Sequence, residues 1–131
     1  MTDADRHPSD RRYFKEHFWV SGTVDTVRVG ISAYASEALG DIVFADLPSV
    51  GDTVSPDQPC GEIESVKSVS SIYSPVSGEV TSANSSASQS PEIINESPNG
   101  DGWLFEVRMS NPIEYDELLD SEAYVALIDS L

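Results

Sequence analysis

Lys67 is the residue in this sequence best placed to do chemistry. It stands in Gly61-Glu62-Ile63-Glu64-Ser65-Val66-Lys67-Ser68-Val69-Ser70, ahead of Ser74-Pro75-Val76-Ser77-Gly78. Short strand-like runs flank it on both sides, so the segment reads as a β-hairpin with a lysine at its tip. A primary amine on a rigid, protruding turn is what an acylating enzyme can reach, and what a flexible cofactor arm can extend from. The only other lysine, Lys15, lies in the approach to the first strand, so few amines compete for a modifying enzyme. Taken alone, a turn lysine is an ordinary solvated residue. What surrounds Lys67 decides between the two readings.

The other reactive side chains have simpler explanations. His7 and His17 lack a cysteine or histidine partner at ligand spacing, so no metal site is expected. Cys60 is the only cysteine; it excludes an internal disulfide, fits a reducing compartment and reads as a small hydrophobe in a strand. Glu62 and Glu64 share one face of that strand. A solvated face, or recognition by an attaching enzyme, accounts for them better than a catalytic carboxylate pair. Tyr13, Phe14, Phe18 and Trp19 are expected to pack at a sheet edge.

The elements that must position Lys67 follow from periodicity. Thr26 to Ile31 alternates as a half-buried strand, and Ser32 caps a short helix carrying Tyr34, Ala35, Ala38 and Leu39 that ends at Gly40. Ile42 to Leu47 is an apolar strand stopped by Pro48, and Gly51-Asp52 marks a turn. Short strands follow around Val54, at Pro59 to Glu64, Val69 to Tyr73 and Gly78 to Thr81. Gly51-Asp52-Thr53-Val54 and Gly78-Glu79-Val80 form a weak internal echo on either side of Lys67. Ser82 to Ser90 has no apolar period and reads as a flexible connection; Pro91 to Asn95 suggests a helical turn. Trp103 to Met109 alternates, with Trp103, Phe105 and Val107 on one face and Leu104 and Glu106 on the other. Asn111, Pro112 and Glu114 fit a capping box, and Ser121 to Leu131 has helical spacing of Tyr124, Val125, Leu127, Ile128 and Leu131.

At 131 residues and 39% hydrophobic, the chain can bury one modest core. We expect a flexible segment over residues 1–12 and a single domain over 13–131. A formal net charge of −16 and a pI near 4.1 repel phosphate backbones and anionic lipid, which argues against nucleic acid and membrane partners. The same field favours encounter with basic docking surfaces. Met1 to Arg12 lacks the apolar segment of a secretory signal, and Asp3, Asp5 and Asp10 are out of place in a mitochondrial presequence. The expected location is the bacterial cytoplasm, or the mitochondrial matrix after a presequence has been removed.

The lysine's surroundings resemble one family closely. Glu64-Ser65-Val66-Lys67 followed by Tyr73-Ser74-Pro75-Val76-Ser77-Gly78-Glu79-Val80 is similar to the lipoylation region of glycine cleavage H proteins. Biotinyl domains usually flank their lysine with methionines, and acyltransferase lipoyl domains usually carry an Asp-Lys-Ala turn; neither pattern is present. The likeness extends to Lys15-Glu16-His17-Phe18-Trp19-Val20, to Val29-Gly30-Ile31 with Ala38-Leu39-Gly40-Asp41-Ile42-Val43-Phe44, and to Ser97-Pro98-Asn99-Gly100-Asp101-Gly102-Trp103.

The resemblance implies a mainly β barrel-sandwich hybrid of two small sheets with short peripheral helices. It implies lipoate attached covalently to Lys67 by a lipoate ligase or a lipoyl/octanoyl transferase, for which Glu62, Glu64, Ser65 and Val66 are the expected recognition residues. It further implies a non-catalytic carrier, shuttling the aminomethyl group of glycine from glycine decarboxylase (P protein) to the tetrahydrofolate-dependent aminomethyltransferase (T protein). Dihydrolipoyl dehydrogenase (L protein) then reoxidises the arm. Family members usually have an acid where this chain has Phe18, often an aspartate at Ser71 and a tyrosine at Asn99. Losing two carboxylates near the arm is expected to weaken its hold on a protonated aminomethyl group. Two alternatives therefore stand beside the shuttle: a relay passing lipoate to other complexes, and an unmodified binding domain of the same fold.

Overall fold

Alternating apolar and polar residues drive most of this chain into strands, and turn residues keep those strands short. The structure, a computed structural model, describes residues 6–22 and 25–131. In chain order the elements are β1 (Arg12–Phe14), β2 (Phe18–Gly22), β3 (Thr26–Ile31), α1 (Ala33–Leu39), β4 (Ile42–Asp46), β5 (Thr53–Val54), β6 (Pro59–Ser65), β7 (Val69–Tyr73), β8 (Gly78–Ala83), α2 (Ser85–Gln89), α3 (Glu92–Glu96), β9 (Phe105–Met109), α4 (Ile113–Asp116) and α5 (Ser121–Asp129).

Two antiparallel sheets result, one ordered β1-β2-β3-β9-β8-β5 and one ordered β4-β6-β7. They sandwich a continuous core rather than closing into a barrel. Val20, Val27, Val29, Phe105 and Val107 from the larger sheet share it with Ala45, Ile63 and Ile72 from the smaller. The internal echo proves to be a strand pairing. Thr53 faces Glu79 and Val54 faces Gly78, while Gly51 N donates to Val80 O at 2.8 Å and Val80 N donates to Asp52 O at 2.9 Å. This ladder closes the base of the excursion that contains the β6–β7 hairpin.

The aromatic residues near the start do pack at a sheet edge, in two directions. Phe18 enters the main core, whereas Tyr13 and Trp19 join Tyr124 of α5 in a second cluster. Trp19 lies flat on its strand partner Gly30, where an added Cβ would stand 2.4 Å from the indole, and its Nε1 donates to Pro98 O at 2.8 Å.

Four expectations need correction. Ser82 to Ser90 is not a flexible connection: β8 runs through Ala83, Asn84 caps α2 by accepting from Ser86 N, and Ala87 is fully buried. Helices this short show no period in sequence. The last strand starts at Phe105 and not at Trp103, and Leu104, just before it, is as buried as Phe105. No capping box forms at Asn111, because Glu114 instead accepts from Ser77 N at 2.8 Å and from Ser77 Oγ at 2.9 Å. Finally, Leu131 is exposed rather than part of the packed face of α5. Within the segment expected to be flexible, described from residue 6, His7 is buried with its ring 5.2 Å from that of Tyr124.

Candidate functional site

The β6–β7 hairpin pairs Glu64 with Val69, Ile63 with Ser70 and Glu62 with Ser71. Its tip is Val66-Lys67, closed by Ser65 N donating to Ser68 O at 2.8 Å. Two-residue hairpins normally use turns with positive φ, which match the twist of the strands. Among the described residues outside glycine, only His17 has positive φ, so this tip uses a turn that fits the strand twist poorly and has to be held by other means. Ser65 supplies the first: it is buried, and its Oγ accepts from Lys67 N and Ser68 N, both at 3.1 Å. Asp41 supplies the second, its carbonyl accepting from Val66 N at 3.0 Å.

Asp41 is itself fixed by a residue that sequence reading passed over. Asn95, on α3, donates from Nδ2 to Gly40 O at 2.8 Å and accepts at Oδ1 from Ile42 N at 2.9 Å. It therefore clamps the loop on both sides of Asp41. Gly40 ends α1 with φ 77° and ψ −153°, a region only glycine enters readily. The Lys67 side chain lies over it, and a Cβ built on Gly40 would sit 3.2 Å from Cε and 3.5 Å from Nζ. None of the described residues pairs with Nζ, and Lys67 is exposed. The amine is thus presented free on a backbone held at three points.

Beside the hairpin, α1 and the β2–β3 pair enclose a cleft of about 160 Å³, lined by Ala35, Ala38, Leu39, Ile31, Phe18 and Ile63 with Ser70, Tyr34, His17 and Glu16. Its walls are mostly apolar, and among the described residues Glu16 is the one acid lining it. His17 holds φ 76°. Its Nδ1 lies 2.7 Å from Tyr124 Oη, which is also 2.7 Å from Ser32 Oγ, the cap of α1. Burial lowers the His17 pKa, against an opposing pull from Glu16; burial pushes the Tyr124 hydroxyl up to about 12.

The structure separates the positions singled out in the sequence. Glu62, Glu64 and Val66 are exposed near the lysine, whereas the Ser65 hydroxyl is engaged inside the turn. Of the three departures, Phe18 lines the cleft, Ser71 is exposed opposite Glu62, and Asn99 lines a different groove and donates to Arg6 O at 2.9 Å. Burial pushes the Cys60 thiol up to about 11, which leaves it a poor nucleophile. Among the described residues, no three His, Cys, Asp or Glu side chains are grouped to hold a metal.

A two-sheet sandwich with an exposed lysine on a braced hairpin beside an apolar cleft has the form of a carrier domain. A family model for the glycine cleavage H-protein matches residues 11–131. The chain is 49% identical to the glycine cleavage system H protein of Salmonella arizonae, over 93% of this chain and 95% of that one. It is 48% identical to a probable glycine cleavage system H protein of Natronomonas pharaonis, over 92% and 95% respectively. The crystal structure of a glycine cleavage system H protein from Mycobacterium marinum superposes with a TM-score of 0.86 at 40% identity, covering 95% of this chain and 99% of that one. The chain belongs to the glycine cleavage H-protein family, and its role is that of a lipoyl carrier in the glycine cleavage system.

Proposed function

We propose that Lys67 is the residue that carries lipoate, and that the arm takes aminomethyl groups from glycine decarboxylase to the aminomethyltransferase before dihydrolipoyl dehydrogenase reoxidises it. The observation that carries this reading is the free Nζ on a turn braced by Ser65, Asp41 and, through the 40–42 loop, Asn95. In attachment, Nζ attacks an activated lipoyl carboxyl, an amide forms, the activating group leaves with its electron pair, and the amine gives up a proton. When bound, lipoate supplies a ring disulfide that accepts both electrons and the transferred group.

The chain's own residues do the holding. The apolar walls from Ala38, Leu39, Phe18 and Ile63 suit a hydrocarbon arm and shield a loaded end from water. With Phe18 in place of an acid, Glu16 is left to meet a protonated amine there. Glu62, Glu64 and Val66 present the surface around the lysine to the ligase or transferase. The protein contributes no acid or base to the chemistry, and works in the bacterial cytoplasm.

The single lining carboxylate keeps the relay reading in play, and reconstitution separates the two. Lipoylated protein mixed with glycine decarboxylase is expected to support exchange of the glycine carboxyl carbon with bicarbonate, and Lys67→Arg is expected to support none. A lipoylated protein that fails this exchange, beside a working H protein, would instead point to the relay.

A further inference from the structure

Phe44 is on the wrong side of its strand. In Ile42-Val43-Phe44-Ala45-Asp46, strict alternation from the buried Ile42 would bring Phe44 inward and turn Ala45 out. The register breaks between Ile42 and Phe44, and the resulting bulge leaves Phe44 52% exposed with Ala45 buried. Bulges commonly re-aim a side chain beside a functional site. Here the re-aimed phenyl ring belongs to the sheet that carries the Lys67 hairpin.

The register continues the pattern across the smaller sheet. Phe44 faces Glu64, which faces Val69, and Asp46 faces Glu62. Val69 is 57% exposed and Val66, at the hairpin tip, 67%. The outer face thus sets exposed Phe44 and Val69 on either side of Glu64, with Asp46 and Glu62 paired alongside. No lysine or arginine occurs in β4, β6 or β7, and the ion pairs of the described residues lie elsewhere, on Glu37, Asp10, Glu106 and Glu79.

We propose that this outer sheet face is the docking surface for the enzyme that acylates Lys67, which meets it with an apolar contact ringed by lysine and arginine. The proposal rests on the reading of Lys67 as the acylated residue. Reach decides the occupant. A lysine side chain extends roughly 6 Å from its backbone, so an enzyme acting on Nζ must lie against the surface around the hairpin. Enzymes that act on the far end of a loaded arm have no such constraint. Charge decides the chemistry of the partner, because three carboxylates with no cation on their own strands attract a basic rim and repel an acidic one. An exposed aromatic beside such carboxylates can serve as the anchor of an interface.

The test is acylation of the unmodified full chain by purified lipoate ligase with lipoate and ATP, followed by intact mass. Phe44→Ser and Val69→Ser alter exposed positions, and circular dichroism checks that each folds. Phe44→Ser is expected to raise KM for the carrier about 10- to 30-fold with kcat nearly unchanged, and Val69→Ser to raise it less. Ile113→Ser, an exposed apolar position on α4, serves as the control and is expected to match wild type. Added salt is expected to raise the wild-type KM, and to raise it less in the Glu62→Gln/Glu64→Gln variant. Wild-type KM in both Phe44→Ser and Val69→Ser would overturn the proposal, as would a defect of Phe44→Ser confined to glycine decarboxylase. A wild-type chain left unacylated would sink the underlying reading as well, and the wild-type mass alone reveals that case.

Discussion

His17 holds a positive φ that a side chain other than glycine adopts at some cost, and it keeps that shape between the cleft and Tyr124. Because burial lowers its pKa from 6.5, the unfolded chain binds this proton more tightly than the folded one. The associated stability is fully present above about pH 6.5 and is lost as pH falls toward the folded value. Melting temperature is therefore expected to drop between pH 7 and pH 5.5 more steeply in wild type than in His17→Asn, which tolerates the same backbone; equal slopes would refute the assignment. Gly40 makes the second prediction at this scale. Gly40→Ala at φ 77° and ψ −153° is expected to cost about 1–3 kcal/mol, read as a lower denaturation midpoint. The hairpin that presents Lys67 was legible in the sequence because it is local and continuous. The role of His17 was not, since its partner Tyr124 lies 107 residues away.

Among the elements, the helices after β8 show how the site is held. α3 is five residues long, too short to declare itself by period, and it was anticipated only as a helical turn. Its Asn95 nevertheless fixes the backbone on both sides of Asp41, whose carbonyl holds the hairpin tip. Asn95→Ala strands Gly40 O and Ile42 N and is expected to cost about 1–3 kcal/mol. Faster amide exchange at Val66 than in wild type should accompany the loss, because the brace behind its hydrogen bond is gone. An unchanged midpoint and unchanged exchange at Val66 would show that the loop holds itself. From β3 onward the strands were readable to within a residue or two, because alternation reports a half-buried face directly; β1 and β2 were not, since no alternating run precedes Thr26. The bulge in β4 was not, because Ile42 to Leu47 is apolar on both faces and gives alternation nothing to register.

Across the whole molecule, one core joins the two sheets, and the ladder between β5 and β8 ties the hairpin's base to the larger of them. The echo that drew attention to this ladder was a weak sequence signal, and its meaning depended on a pairing that sequence does not display. Net charge, by contrast, was fully legible: −16 over 131 residues favours encounter with basic surfaces through long-range steering. Family membership over residues 11–131 and a rigidly presented amine converge on one central claim, that Lys67 is the modified residue. The most direct measurement is the intact mass and peptide map of protein from lipoate-fed cells with a competent ligase, for wild type and Lys67→Arg. A single lipoyl-sized addition on Lys67, absent from the variant, is the predicted result; no addition beside a modified control carrier, or an addition on Lys15, would contradict the claim.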